Sequence, residues 1–361
     1  MTDPNHDDDQ NDEAAPRRSA EMDELSAHLD RAWDLLQQGD VDGARRSADE
    51  AARIDAQAPE VPTLLGAIAA ARGEVEEALA HFSRATELDP DFPDPLLHAA
   101  ELHLFPLGDF DEAIRLCEEA LELAEEEEEF LDALLLKAEA ELRKGDDRAS
   151  RETLVELPPV RLPEAQFHLR AGQLFLDLGS DEDLATAETH MRHALEMDPH
   201  MTDALHALGM VHEERGDVKK MVQAFLKVRE ADLKEAAPPW GVTRDRFEEL
   251  AQEALAELPE RLRALLENVP ILAADYPAIE LVAEGNDPRM MGFFSGIPYP
   301  EKSTLAGAVP HLDCVFLYQR NIEKFCRTAA EVEQEIRKTL LHETGHFFGL
   351  TEEELEAMGL G

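Results

Sequence analysis

A chain of 361 residues with 34 basic and 80 acidic side chains carries a formal net charge of −46. A surface of that sign repels nucleic-acid phosphates and anionic lipid headgroups, which excludes non-specific binding to either as a working function. The length allows two or three domains, and three cysteines, Cys117, Cys314 and Cys326, are too few and odd in number for a disulfide framework.

The first 21 residues, with Asp7-Asp8-Asp9, Pro4 and Pro16, are polar and acidic. They cannot bury enough apolar surface to order themselves, so residues 1–21 are expected as a disordered tail. No apolar core of a secretory signal is visible there, and no uninterrupted apolar run elsewhere approaches the ~18 residues of a membrane span. A cytoplasmic protein with reduced thiols is the expectation, without nucleic-acid or membrane partners.

Between residues 22 and 234 the chain repeats. The clearest unit carries Leu65-Gly66, then Gly73, Ala78, Phe82, Ala85 and Pro90. Small residues at Gly66, Ala78 and Ala85 let two antiparallel helices touch, and Pro90 stops the second helix. This order of residues resembles the tetratricopeptide repeat (TPR) family, and Ala44 and Ala78 recur at its period. About six repeats are expected. The fourth, around Gly145, is degenerate, and the fifth (Ala187, Met191, Ala194, Pro199) is read as stretched at its turn by Ser180-Asp181-Glu182-Asp183. The resemblance implies an all-α superhelix whose concave groove takes a protein or peptide ligand. The pair His190 and His193, at i and i+3, is read as structural in preference to metal-binding.

Residues 235–241, with Pro238-Pro239, are expected as a linker, and residues 242–361 as a second domain. Thr243 is a good N-cap for a helix over Arg244–Leu258, and Pro259 opens a second helix. Short β-prone runs follow at Ile271–Ala274, Met290–Phe294 and Cys314–Tyr318, with Gly296, Pro298, Pro300 and Gly307 between them. A long helix from Ala329 to Phe348 carries Val332, Ile336, Leu340 and Phe347 as an apolar stripe. Helices, a few strands and a closing helix make a small α+β unit.

That last helix holds His342-Glu343-Thr344-Gly345-His346. Side chains at i and i+4 meet on one helix face, so the two imidazoles can share a zinc ion, with Glu343 as general base toward a zinc-held water. A bare motif of this kind is weak evidence in a chain with 14 histidines and 80 acidic residues. Its surroundings strengthen it. Gly345 removes a side chain where another backbone can approach, and Gly349 can turn the chain left-handed and end the helix. The bend returns Glu352 at the spacing of a third zinc ligand. Glu353, Glu354, Glu356 and an upstream residue remain alternatives, and Thr351 with Glu354 reads as a capping box.

Residues 240–361 resemble a family of small bacterial metallopeptidases with a minimal zincin fold. The matching residues are Thr243, Phe247-Glu248 and Leu250, then Leu265, Asn268-Val269, Gly292 and Gly296-Ile297-Pro298. They continue through Val315–Tyr318 to His342-Glu343, Gly345-His346, Phe348-Gly349-Leu350. The resemblance implies zinc held by His342, His346 and Glu352, with Glu343 as base; Glu352 stands where the family more often has aspartate. A strand edge, Met291–Phe294 or Cys314–Tyr318, is expected beside the site for an extended substrate, Tyr318 is a candidate oxyanion donor and Met358 a candidate floor or core residue. The leading expectation is a zinc metallopeptidase with a TPR array for protein recruitment. The alternative is a catalytically inactive zincin-like domain on a TPR interaction scaffold.

Overall fold

The computed structural model describes residues 14–158, 161–258, 260–266, 269–296 and 313–358. The tail residues 1–13 and the loop bearing Pro298, Pro300 and Gly307 lie outside the described residues, as do the side chains of Glu352 and Glu356. The chain divides into two compact units, Met1–Met197 and Asp198–Gly361.

The first unit is a run of helical hairpins: α1 (Ala14–Gln37) with α2 (Val41–Ile54), α3 (Glu60–Ala71) with α4 (Val75–Leu88), and α5 (Asp94–Leu104) with α6 (Phe110–Leu123). Two more follow, α7 (Glu127–Arg143) with α8 (Asp147–Leu154) and α9 (Ala165–Leu178) with α10 (Asp181–Met197). Helix α1 begins inside the stretch expected as a tail, where Ala14-Ala15 and Arg17-Arg18 are strong helix formers. The repeat pattern has a direct packing cause. A Cβ built on Gly66 would stand 2.5 Å from the ring of Phe82, so the glycine is the socket for that phenylalanine. Ala78, Phe82 and Ala85 are all buried.

Each hairpin turns through a left-handed glycine, as at Gly73 with φ 77°. An aspartate often follows it and caps the next helix: Asp40 accepts from Gly43 N at 2.8 Å and Asp146 from Ala149 N at 3.0 Å. The fifth hairpin is stretched in its second helix and not in the turn: α10 has 17 residues where α2, α4 and α6 have 14. Gly179, with φ 72°, is its turn glycine, and α10 starts two residues later. The acidic run is the cap itself, Asp183 N donating to Ser180 Oγ at 3.2 Å, while the buried Asp183 carboxylate receives Arg151 at 2.9 Å.

His190 is drawn into the packing of this hairpin together with His168. Leu162 N donates to His168 Nε2 at 3.2 Å, so His168 carries its proton on Nδ1, 3.0 Å from His190 Nδ1. His190 Nδ1 therefore accepts. Both nitrogens of His168 are thereby committed.

The second unit opens with a further hairpin, α11 (Thr202–Glu214) and α12 (Val218–Asp232), built on the same rule: a Cβ on Gly209 would meet Phe225 at 2.4 Å. After a helix-free stretch come α13 (Arg244–Glu257), capped by Thr243, and α14 (Glu260–Leu266). Then follow β1 (Ile271–Ala274), α15 (Ile279–Ala283), β2 (Gly292–Ser295), β3 (Cys314–Tyr318), α16 (Gln319–Phe325), α17 (Ala329–Phe347) and α18 (Glu352–Ala357). The three strands are ordered β1-β3-β2, with β1 parallel and β2 antiparallel to β3. Being paired on both sides, β3 has no open edge. Among the described residues β2 is paired on one side only, by β3.

The core of this unit gathers Phe247, Leu250 and Ala254 of α13, Val315 and Leu317 of β3, and the stripe Val332, Ile336, Leu340 and Phe347 of α17. All four stripe residues are within 1% of full burial, as their helical spacing predicts. Cys117, Cys314 and Cys326 are buried free thiols, as expected of small apolar residues. Burial pushes Cys117 up to about 12 and Cys326 to about 11. Among the described residues no helix is long and apolar enough to cross a membrane.

The histidine pair makes the first unit sensitive to acid. Burial, then the charges of neighbouring histidines, pushes His168 and His190 down to about 4. Unfolded histidines titrate near 6.5, so between pH 6.5 and 4 the unfolded chain binds more protons and stability falls as pH falls through that window. Thermal unfolding followed from pH 7 to 4 should lose a few degrees of Tm that a His168→Gln/His190→Gln double variant does not lose.

Candidate metal centre

The site is built on the last two turns of α17. Thr328 caps the start of that helix, its hydroxyl accepting from Glu331 N at 3.1 Å, while the Glu331 carboxylate accepts from Arg327 N at 2.7 Å. From there the apolar stripe commits one face to the core. His342 and His346 are left on the other face, half-buried at the wall of a cleft of about 600 Å³.

The two imidazoles converge. Their Nε2 atoms are 3.0 Å apart, and the rings stand nearly perpendicular at 80°. Two nitrogen ligands in a tetrahedral zinc shell with bonds of about 2.0–2.1 Å lie about 3.4 Å apart, so the pair is already near the required spacing. His346 Nδ1 lies 3.3 Å from the carbonyl oxygen of Leu350. A carbonyl only accepts, so Nδ1 carries the proton and the Nε2 lone pair is directed inward. That carbonyl is presented by the glycine bend. Gly349, with φ 82°, ends α17, and Leu350 N returns to Gly345 O at 3.1 Å.

At Gly345, where the sequence leads one to expect an approaching backbone, the structure places a side chain. A Cβ on Gly345 would meet Leu355 Cδ2 at 2.4 Å, so the missing side chain lets α18 dock its fully buried leucine. The capping box is present: Thr351 N donates to Glu354 at 2.9 Å, and Glu354 N to Thr351 Oγ1 at 3.3 Å. This occupies Glu354 as a cap. Glu353 is exposed. Glu352 begins α18, directly after the bend, while its side chain lies outside the described residues. Among the described residues no group of three or more His, Cys, Asp or Glu gathers in a metal-holding arrangement. The chemistry of the described donors, two convergent imidazoles with an oriented tautomer, nonetheless suits zinc.

Glu343 is 7% exposed and lines the same cleft. Its room comes from β2. A Cβ added to Gly292 would stand 2.7 Å from Glu343 Cγ and 2.8 Å from Oε1, with Thr339 Cγ2 also at 2.7 Å. Gly292 therefore lets the edge strand close on the carboxylate. Tyr318 is 3% exposed and is not among the cleft-lining residues. Its phenol is pushed up to about 12 by burial and then by the Glu343 charge, so it stays protonated beside that carboxylate. Met358, by contrast, is 62% exposed and forms neither a floor nor core, because α18 turns Leu355 inward instead.

Sequence reasoning missed the rest of the cleft: Asn286, Met290, Phe325, Glu335, Lys338 and Thr339. Three of them had a signal, since Glu335, Lys338 and Thr339 precede His342 by seven, four and three positions and so share its face. The others are brought in by tertiary folding alone.

Gly292→Ala should destabilise the second unit by about 1–3 kcal/mol, because neither Glu343 Cγ nor the Thr339 methyl is the free end of a long side chain. Equilibrium unfolding followed by the fluorescence of Trp240 would measure it.

Residues 266–361 match the zincin-like metallopeptidase family, and residues 29–93 and 96–129 match two tetratricopeptide repeat families. No curated protein matches the chain. Among solved structures, it is similar to YrrB, a TPR protein with an unusual peptide-binding site, at 17% identity, 52% of this chain, 93% of the other and a TM-score of 0.37. It is similar also to a thermophilic TPR protein of Thermus thermophilus, at 22% identity over 49% of this chain and 93% of the other, with a TM-score of 0.40. A third, pilF of Pseudomonas aeruginosa, shares 13% identity over 60% and 95% of the two chains, with a TM-score of 0.46. The chain thus carries tetratricopeptide repeats in its N-terminal part and a zincin-like metallopeptidase domain over residues 266–361.

Proposed function

We propose that this protein is a zinc-dependent peptidase whose repeat array recruits a protein or peptide. The observation that carries the reading is the pair of Nε2 atoms 3.0 Å apart, beside a buried glutamate in an open cleft. His342 and His346 would hold the metal from one helix, and Glu352, at the start of α18, would complete the protein ligands. Zinc, when bound, supplies a Lewis acid and brings the acidity of a held water toward neutral pH.

The remaining steps belong to this chain's own groups. Glu343 accepts the proton of the attacking water on its carboxylate and delivers it to the departing amine nitrogen. The carboxylate is confined by Gly292 and Thr339, which limits its rotamers and keeps it facing the cleft. β2, an edge strand among the described residues and part of the cleft wall, would offer backbone groups to an extended substrate. Met290, Met291, Phe293, Phe294 and Phe325 make the adjoining walls apolar.

The family match of the array supports the recruiting role, since repeat families of this kind use concave faces to bind partners. A surface with a net charge of −46 favours basic or apolar ligands over acidic ones.

Metal analysis of the purified chain together with a peptide-library cleavage assay tests the reading. Glu343→Gln should keep zinc and lose about 10²–10⁴-fold in kcat, whereas His346→Ala should lose the zinc as well. Glu352→Gln should weaken zinc retention and Glu353→Gln should not. Wild-type protein that neither retains zinc nor takes it up on dialysis would overturn the assignment.

A further inference from the structure

The cleft wall formed by Met290, Met291 and Gly292 is continuous with a segment, Tyr276 to Arg289, that the hairpin α11–α12 holds along its length. At its start, Tyr276 Oη donates to the carbonyl of Asp232 at 2.8 Å and Arg229 Nε donates to Pro277 O at 2.7 Å. In the middle, Val282 is fully buried against Met221 and Phe225. At its end, the Arg289 guanidinium is divided between two aspartates of the hairpin: Nη1 donates to Asp203 at 2.6 Å, and Nε to Asp232 at 3.2 Å. His206 of α11 lies 2.8 Å from Asp287.

Asp232 is the centre of this arrangement. Only 1% exposed, it also receives Lys324 Nζ from α16 at 3.0 Å. A buried carboxylate with two cationic partners fixes both of them in direction, because leaving either charge unpaired in a dry interior is costly. The residue after Arg289 is Met290, and Gly292, two further on, is the one packed against Glu343. Arg289 is thus the hairpin's contact nearest the cleft wall, beyond those at Tyr276, Pro277, Val282 and Asp287, while Asn321 of α16 holds the same stretch by donating to Pro288 O at 2.8 Å and Met290 O at 2.7 Å.

We propose that Asp232 and Asp203 are positioning residues: through Arg289 they set the wall Met290–Gly292 on which the substrate is seated, so that the last repeat hairpin governs substrate binding by the metallopeptidase site. The proposal rests on the peptidase reading for its activity arm only. Neither aspartate touches the convergent imidazoles, so the hairpin acts on how substrate is held and leaves metal binding intact.

The test uses the full-length chain with zinc, in Asp232→Asn and Asp203→Ala variants. Asp203 is the milder probe, since its side chain is 57% exposed and its loss leaves Arg289 paired with Asp232. Two quantities are read: KM and kcat on a cleaved peptide, and hydrogen exchange of the backbone amides of residues 284–292. Expected are a KM raised about tenfold in Asp232→Asn and about threefold in Asp203→Ala, with kcat and zinc content within twofold of wild type. Exchange over 284–292 should quicken by similar factors, while α17 is unchanged. Should Asp232→Asn fail to fold, the Asp203→Ala result decides. Unchanged KM and unchanged exchange would overturn the proposal, as would a fall in kcat or zinc content without a change in KM. A wild type with zinc but no peptidase activity would refute the proposed function, and the exchange arm would still decide whether the hairpin holds the wall.

Discussion

The arrangement depends on one constraint: a single helix must bury one face completely while keeping two imidazoles four residues apart at a cleft. Val332, Ile336, Leu340 and Phe347 meet the first demand and leave no freedom to rotate the helix about its axis. With the helix so fixed, His342 and His346 have one direction in which to point, and their Nε2 atoms meet at 3.0 Å. Everything added to the site trims it further. The Leu350 carbonyl selects a tautomer for His346, and the bare α-carbon of Gly292 admits Glu343. The site is preorganised by hydrocarbon packing at least as much as by polar contacts.

Much of this is legible in the residues. The bounds of β1 and β3 follow from short β-prone runs, and those of α13 and α17 from the Thr243 cap and from an apolar stripe of helical period. The Gly349 bend and the Thr351–Glu354 cap are local chemistry, decided within a few residues and therefore readable from a short stretch. The role of Gly345 is legible only in part. That space is needed there is implied by a glycine inside a helix, but that the claimant is Leu355, a side chain, depends on where α18 lands. The strand edge is equally undecidable, since nothing in Cys314–Tyr318 tells a central strand from an edge one until its partners are known. In the fifth hairpin the acidic run after the turn glycine, Gly179, does lengthen the unit, but by extending α10 and not the turn. In the fold, that run caps a helix and buries Asp183 against Arg151.

The sequence break at Pro238-Pro239 is real as a helix boundary, since no helix lies between Asp232 and Arg244. Covalent continuity and packing are nevertheless different things. Asp232, the last residue of α12, receives cations from Arg289 and Lys324, both far along the chain. Composition changes mark where elements end. They carry no information on which later residue will return to satisfy a buried charge, because that pairing is made between single residues many positions apart.

The two kinds of architecture in the chain also differ in how the polypeptide must search for them. A helical hairpin such as α3–α4 closes over a span of a few residues at its turn, so its native neighbours are close in sequence from the outset. The parallel pairing of Ile271 with Val315 joins positions more than forty residues apart and gains nothing until the loop between them has been closed. Repeat hairpins should thus collapse early and independently, with β1 and β3 joining last. The sheet that supports Glu343 would then be the slow step of renaturation, and mutations in its strands would alter refolding rates where those in the repeats would not.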